Sequence, residues 1–403
     1  MRVLHTSDWH IGAELEGLSR AEEHRHFFSW LAETIRSEEV DVLVVAGDVF
    51  HHENPSSSSQ QLWYQVVLEL SQIRTLRKIV VVGGNHDSAA RLEAPRELLS
   101  AFRVDVVGGW SAQDRERSLI PVTDDEGVCR LVIAAVPYVS GHRLGVSTLG
   151  KDGDAIRAQT IEAFSSLYGS LADEAEARWP GVARIATGHL TCVGSSEDDW
   201  QTPIHHVGTI EGLPGSIFGK GYAYVALGHI HRGYPVEGSV ARYSGSPIAL
   251  RFTPSELSER KVVLVDVGGD GSSTTRTVAI PPAREVRQLR GTLDELKALV
   301  RSYRSKAPLG AYLDLVAYEV APVVDAIASL QELATEGVTI VSVRFENPAA
   351  VSEEALRQLG VPRLSQLTPE RVFQYFFTTK FERDATEGEL LAFNEAVEAV
   401  SGR

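Results

Sequence analysis

Cysteine is nearly missing from this sequence: Cys129 and Cys192 are the two in 403 residues. Two isolated thiols make neither a disulfide framework nor a thiolate metal site, and the expectation is a reduced, cytoplasmic protein. No apolar run is long enough to cross a bilayer, so no membrane association is expected. The opening MRVLHTSDWH has no basic stretch followed by an apolar core, so it does not read as a secretion signal. There is no GxxxxGKS/T, which excludes P-loop binding of ATP. Internal repeats and low-complexity tracts are absent as well. Basic charge is scarce: 39 Lys and Arg against 54 Asp and Glu leave a formal net charge of −15. A freestanding DNA binder usually carries a basic face. A nucleic-acid role here needs a locally positive site, or a partner that supplies the surface.

What is present reads as a globular chain long enough for two or three domains, with 43% apolar and 23% charged residues. Short β-branched runs at 3–7, 41–49 and 78–84 alternate with helical patterns at 20–37 and 58–74. That pattern predicts βαβ units and a buried parallel sheet. Further strands are expected at 131–136, 184–188, 222–228, 240–245 and 262–267, with a helix over 154–177. The character changes at Ile280-Pro281-Pro282. Beyond it the patterns read strand 286–290, helix 292–304, strand 311–318, helix 323–336 and strand 338–346, a small α+β unit. Residues 346–350 read as a linker. In the last fifty residues Thr368-Pro369 marks one helix start, and Thr386 with Glu389 matches a capping box at another. The expected domains are 1–281, 282–347 and 348–403.

The chemistry lies where the strands end. The apolar runs pass directly into Asp8-Trp9-His10, Gly47-Asp48, Gly84-Asn85-His86-Asp87, Gly188-His189 and Gly228-His229-Ile230-His231. In open α/β sheets ligands bind beyond the carboxyl ends of the strands, so all five groups are expected on one edge. Asp8 and His10, like His229 and His231, are two apart. In extended chain each pair points the same way and can bite one ion. Imidazole with carboxylate and amide oxygen suits Mn, Fe, Zn or Co. Two ions need a bridging carboxylate, for which Asp48 is the candidate. Each piece alone is weak, since a lone histidine is more often a hydrogen-bonded structural residue. All five together, in order and at strand ends, point to a metal site.

In this order the five motifs resemble the calcineurin-like metallophosphoesterases. MRVLHTSDWHIG, VVAGDVF, GGNHDS, GHLT, ALGHIHR and RYSGSP, with LTPERVFQYFF near the C-terminus, narrow the likeness to the SbcD family of nuclease subunits along nearly the whole chain. Some members carry Asp after GDVF; here it is His51. The resemblance implies an α/β fold: a β-sandwich with flanking helices, a small α+β capping domain and a C-terminal helical pair. It implies two divalent ions, manganese by family expectation. Asp8, His10, Asp48 and His231 would hold one; Asp48, Asn85, His189 and His229 would hold the other. Such a pair clamps a phosphodiester and lowers the pKa of a bound water.

The implied activity is 3′–5′ double-strand exonuclease and single-strand endonuclease at DNA ends and hairpins, in repair and recombination. The implied partner is an SbcC-type ATPase with coiled coils, in a heterotetramer built on a homodimer of this chain. A stand-alone phosphodiesterase acting on small phosphoesters is the alternative.

Other residues read less sharply. His86 is expected to protonate the leaving oxygen, with Asp87 orienting its ring; an ordinary turn pair is the alternative. His51 is expected to contact the scissile phosphate, and His52 to be a solvated neighbour. Arg91, Arg232 and Arg251 are candidates for DNA phosphates or for surface ion pairs. His5 and Trp9 read as core, and His24 and His26 as surface residues of a helix. His205-His206 and the acidic Glu197-Asp198-Asp199 read as a solvated run. Phe373, Phe376, Phe377 and Phe381 form one helical stripe. It either packs on Leu390, Phe393, Val397 and Val400 of the last helix or, as the resemblance implies, grips the coiled-coil partner.

Overall fold

The structure is a computed structural model. It describes residues 1–147, 149–192, 212–318, 330, 333 and 337–346, together with 373, 374, 377, 383, 385, 386, 388–390 and 393. Most of the helix expected at 323–336 and of the linker at 346–350 lies outside these residues. So do Thr368-Pro369, Glu197-Asp198-Asp199, His205-His206, Phe376 and Phe381. The described residues fall into two compact units. One lies within Met1–Gln288, Tyr303–Asp314 and Thr335–Ser342, the other within Leu289–Ser302, Leu315–Ala334 and Val343–Arg403.

In chain order the strands are β1 (Arg2–Thr6), β2 (Glu14–Leu15), β3 (Leu18–Ser19), β4 (Val42–Ala46), β5 (Lys78–Val82), β6 (Val104–Val107), β7 (Leu119–Thr123), β8 (Cys129–Ala134), β9 (Arg184–His189), β10 (Tyr224–Gly228), β11 (Ala241–Tyr243), β12 (Lys261–Val267), β13 (Ser273–Ala279), β14 (Glu285–Gly291), β15 (Ala311–Ala317) and β16 (Val338–Phe345). The helices are α1 (Ala21–Ser37), α2 (Ser57–Ser71), α3 (Ala89–Glu93), α4 (Arg96–Ser100), α5 (Gly153–Arg178) and α6 (Leu293–Ser302).

A six-stranded sheet has the order β13-β12-β1-β4-β5-β6, and a five-stranded sheet the order β11-β10-β9-β8-β7. The side chains alternate as strand geometry requires. Val42, Val44 and Ala46 of β4 enter a core shared with Ile133, Ile185, Ala226 and Val263, which lies between the sheets. Leu43 and Val45 enter an outer core with Phe28 and Leu31 of α1 and Trp63 and Val66 of α2. On the far side Val225 and Leu227 of β10 pack on Phe164, Tyr168 and Leu171 of α5. The result is a β-sandwich with helices outside both sheets. A three-stranded sheet, order β14-β15-β16, and α6 follow it in the chain.

The expected parallel sheet holds for β1, β4, β5 and β6. The strands near 131, 184, 222 and 240 belong to the second sheet, and β12 runs antiparallel to β1. A strand buried on both faces is a continuous apolar run whichever sheet it joins, so sequence alone does not assign it. β13, with the sequence STTRTVA, is largely exposed and lacks the apolar alternation that marks a strand in sequence.

His24 is a correction. It is fully buried, and its ring nitrogens lie 2.9 Å from the Arg20 carbonyl and 2.6 Å from that of Trp9. The capping box at Thr386 forms as its spacing predicts: the Thr386 N–H donates to Glu389 Oε2 at 2.8 Å.

Candidate metal centre

Every expected ligand follows or closes a strand. Asp8 and His10 come after β1, Asp48 after β4 and Asn85 after β5. His189 closes β9, and His229 and His231 follow β10. The backbone there is not extended. Asp8, His10, Asp48 and His229 have φ of 52°, 48°, 51° and 92°, in the left-handed region. Each such residue costs about 1–3 kcal/mol. The cost is held by pairing between the two turns: the amides of Asp8 and His10 donate to the carbonyls of Gly47 and Asp48, both at 2.9 Å. Gly84 makes room for this arrangement, since a Cβ there would fall 2.0 Å from Asp48 Oδ1.

These kinks sort the ligands. Oxygen or nitrogen atoms of Asp8, His10 and His231 lie within 4.8 Å of one another. His10 Nε2 is 3.1 Å from His231 Nε2 and 3.5 Å from Asp48 Oδ2. On the other side, Asn85 Oδ1 lies 3.0 Å from His189 Nε2 and 2.9 Å from His229 Nδ1. His189 Nε2 is 3.4 Å from Asp48 Oδ2. One carboxylate oxygen therefore touches both groups. Asp8 and His10 act together as their spacing suggests, although by left-handed turns. His229 and His231 do not: they join different groups.

The donor chemistry fits divalent metal ions. The Ala46 carbonyl can only accept, so His189 Nδ1, 2.9 Å away, carries the hydrogen and Nε2 turns a lone pair inward. His231 Nδ1 lies 2.6 Å from Glu256 Oε1, which has the same consequence. Asp8 Oδ1 accepts the His229 amide and Oδ2 the Ser7 hydroxyl. Asp48 Oδ1 accepts the His86 amide at 2.9 Å, which leaves Oδ2 for the centre. Nitrogen and oxygen lone pairs converge, with no thiolate among them.

The electrostatics agree. Burial opposes ionisation of Asp48, but the adjacent His189 and His10 overcome it and hold the carboxyl well below its usual range. Burial likewise opposes a charge on His189, and Asp48 outweighs it, lifting the imidazole to about 9; the proton so held at Nε2, 3.4 Å from Asp48 Oδ2, is the one a metal ion would displace to free that lone pair. The pocket is built to hold positive charge.

His10, Asp48 and Asn85 open into a cavity of about 220 Å³, which His51, His86, Arg232 and Arg251 also line. His86 Nδ1 meets the His51 carbonyl at 3.0 Å, and the two rings stack with centroids 5.8 Å apart. Asp87 does not orient His86. It is buried and accepts the amides of Val49, Phe50 and Gly84 at 3.0, 2.9 and 2.9 Å, bracing the β4 and β5 turns together. Backbone N–H groups at the strand ends capture the carboxylate. Arg91 is exposed and borders a separate hollow with Phe50, Trp63 and Pro95. His5 is a satisfied core residue between Tyr224 and Leu227, and Trp9 is fully buried. Phe373 stacks on Phe393 at 4.2 Å, so part of the phenylalanine stripe is covered by the last helical segment. Sequence reasoning missed Glu256. It sits in SELSER, which has no apolar pattern or motif to mark it.

The description "Calcineurin-like phosphoesterase" fits residues 1–233 as a family profile, and "Type 5 capsule protein repressor C-terminal domain" fits 282–381. The chain is 33% identical to the SbcD subunit of the SbcCD nuclease of Rhodobacter capsulatus, over 94% of each chain. It is 32% identical to the SbcD subunit of Escherichia coli K12, over 93% of this chain and 92% of the other. The Bacillus subtilis protein of the same name is 31% identical over 70% of each. The strand-end motifs, the sandwich that gathers them and this likeness agree: the chain belongs to the calcineurin-like phosphoesterase family, and within it to the SbcD family of SbcCD nuclease subunits.

Proposed function

We propose that this chain is the nuclease subunit of an SbcC–SbcD-type complex. It hydrolyses DNA phosphodiester bonds, as a 3′–5′ double-strand exonuclease and single-strand endonuclease at ends and hairpins, in repair and recombination. The observation that carries the reading is Asp48 Oδ2, within 3.5 Å of His10 in one ligand group and 3.4 Å of His189 in the other.

In this reading Asp8, His10, Asp48 and His231 would hold one ion, and Asp48, Asn85, His189 and His229 the other. When bound, two Mn²⁺ supply Lewis-acid stabilisation of a phosphodiester and an activated water. Asn85 contributes a neutral oxygen, which keeps the centre electropositive enough for a phosphate. His86 and His51 face the cavity, where His86 delivers a proton to the leaving oxygen and His51 contacts the phosphate. Arg232 and Arg251 line the same cavity and take adjoining backbone phosphates.

Residues 1–281 form the nuclease domain in this reading and 282–347 the capping domain. Residues 348–403 bind an SbcC-type ATPase, which supplies DNA surface that a chain of net charge −15 lacks. A homodimer is supported by the outer face of α2. Ser57, Gln60, Gln61, Tyr64, Gln65 and Leu68 make it an uncharged surface, with Tyr64 and Leu68 40% and 49% exposed. The cytoplasm is the compartment that fits a DNA substrate and free thiols.

The test is cleavage of end-labelled DNA with Mn²⁺ by the purified chain and by Asp48→Ala. Mn²⁺-dependent degradation lost in the variant is the expected result. Hydrolysis of a small nitrophenyl phosphodiester with no DNA cleavage, with and without the ATPase partner, would reject the nuclease reading.

A further inference from the structure

A second hollow of about 340 Å³ shares His231 and Arg232 with the lining of the metal cavity. Among the described residues four cations border it, Arg232, Arg242, Arg260 and Lys261, against a single carboxylate, Glu259. Glu259 is paired to Lys261 at 2.9 Å. Two of the guanidinium groups, those of Arg242 and Arg260, keep a buried Nε with no hydrogen-bond partner among the described residues. Arg260 is partly compensated through Glu256, 3.3 Å from its other end.

Arg242 has no such partner among the described residues. It is the middle residue of β11, whose neighbours Ala241 and Tyr243 turn into the outer core. Alternation sends Arg242 to the opposite face, at the open edge of the sandwich beside Val263 and Thr277. Arg242 is partly buried, and its Nε is shielded from water with no acceptor among the described residues, so that N–H is left unsatisfied. An anion that enters the hollow supplies an acceptor. Several guanidinium groups bordering one hollow suit a tetrahedral phosphoryl group.

We infer that this hollow is a phosphoryl-binding subsite. His231 and Arg232 border both cavities, so a phosphoryl group here adjoins one at the metal centre. Two sources share this chemistry: the next phosphate of a bound strand, or the phosphate of a free mononucleotide. The strand source rests on the nuclease reading; the anion site itself does not.

The experiment is calorimetric titration of the full-length, metal-free protein with inorganic phosphate. Binding at least tenfold weaker in Arg242→Gln, and measurably weaker in Lys261→Ala, is expected. No binding to the unaltered protein, or equal binding by Arg242→Gln, overturns the inference. If Arg242→Gln does not fold, Lys261→Ala, at a side chain 41% exposed, decides in its place, and unchanged binding overturns it. With Mn²⁺ present, a raised KM for oligonucleotides and unchanged hydrolysis of a small diester identify the strand as source. Unchanged KM with weakened mononucleotide inhibition identifies the free nucleotide; no change in either overturns the subsite. The titration needs no catalysis, so it still reports if the nuclease reading fails.

Discussion

His231 Nδ1 and Glu256 Oε1 lie 2.6 Å apart across 25 residues of chain, and Glu256 is buried. The carboxylate fixes the ring so that Nε2 faces His10. Its second oxygen is 3.1 Å from the Leu250 amide, which fixes the carboxylate in turn. Glu256→Gln is expected to weaken Mn²⁺ binding about 10- to 100-fold. Titration calorimetry checks this, and an unchanged Kd removes Glu256 from the metal site.

Asp87→Ala orphans three backbone amides between the β4 and β5 turns. The expected loss is about 3 kcal/mol of stability, read as a lower unfolding midpoint. The folded protein should still protonate the leaving group through His86. Wild-type stability combined with lost turnover would make Asp87 catalytic after all.

His86→Ala should lower kcat on a small phosphodiester by about 10²- to 10⁴-fold. Two metal ions per chain should remain by elemental analysis, because the His86 contact with Asp48 is made by the backbone. Full activity in this variant contradicts the assigned role.

Burial holds His5 down to about 3, well below an exposed imidazole near 6.5. The unfolded state therefore takes up the proton first on acidification. Stability from this residue is complete above pH 6.5 and is lost as the pH falls towards 3. At pH 5 the loss is about 2 kcal/mol. Unfolding midpoints in His5→Gln should depend less on pH between 7 and 5 than those of the unaltered chain.

Tyr64→Glu with Leu68→Glu on the outer face of α2 should convert a dimer to a monomer in sedimentation velocity. Folding and metal content should stay intact, because both side chains are exposed. A dimer that survives both charges places the contact elsewhere.

Much of the site was legible in the chain. The helices over 20–37 and 154–177 differ from α1 and α5 by one residue at each limit or less, because their buried residues recur every three or four positions, a local pattern. The order of Asp8, His10, Asp48, Asn85, His189, His229 and His231 at strand ends also needed no tertiary knowledge. Apolar runs that stop at Gly-Asp or Gly-His mark where a sheet ends and a ligand can approach.

What the sequence determined, then, was the set of candidate ligand types and the edge on which they meet, since periodicity and strand limits are encoded over a few residues. Tertiary structure decided which strands share a sheet, and it parts His229 and His231, which spacing alone would pair. It also turned Asp87 into a backbone brace, brought Glu256 behind His231 and left Arg242 without a counter-charge among the described residues. Each of these depends on left-handed turns or on contacts between residues far apart in the chain. A local pattern records that a face is buried, and it carries no record of what arrives to cover it.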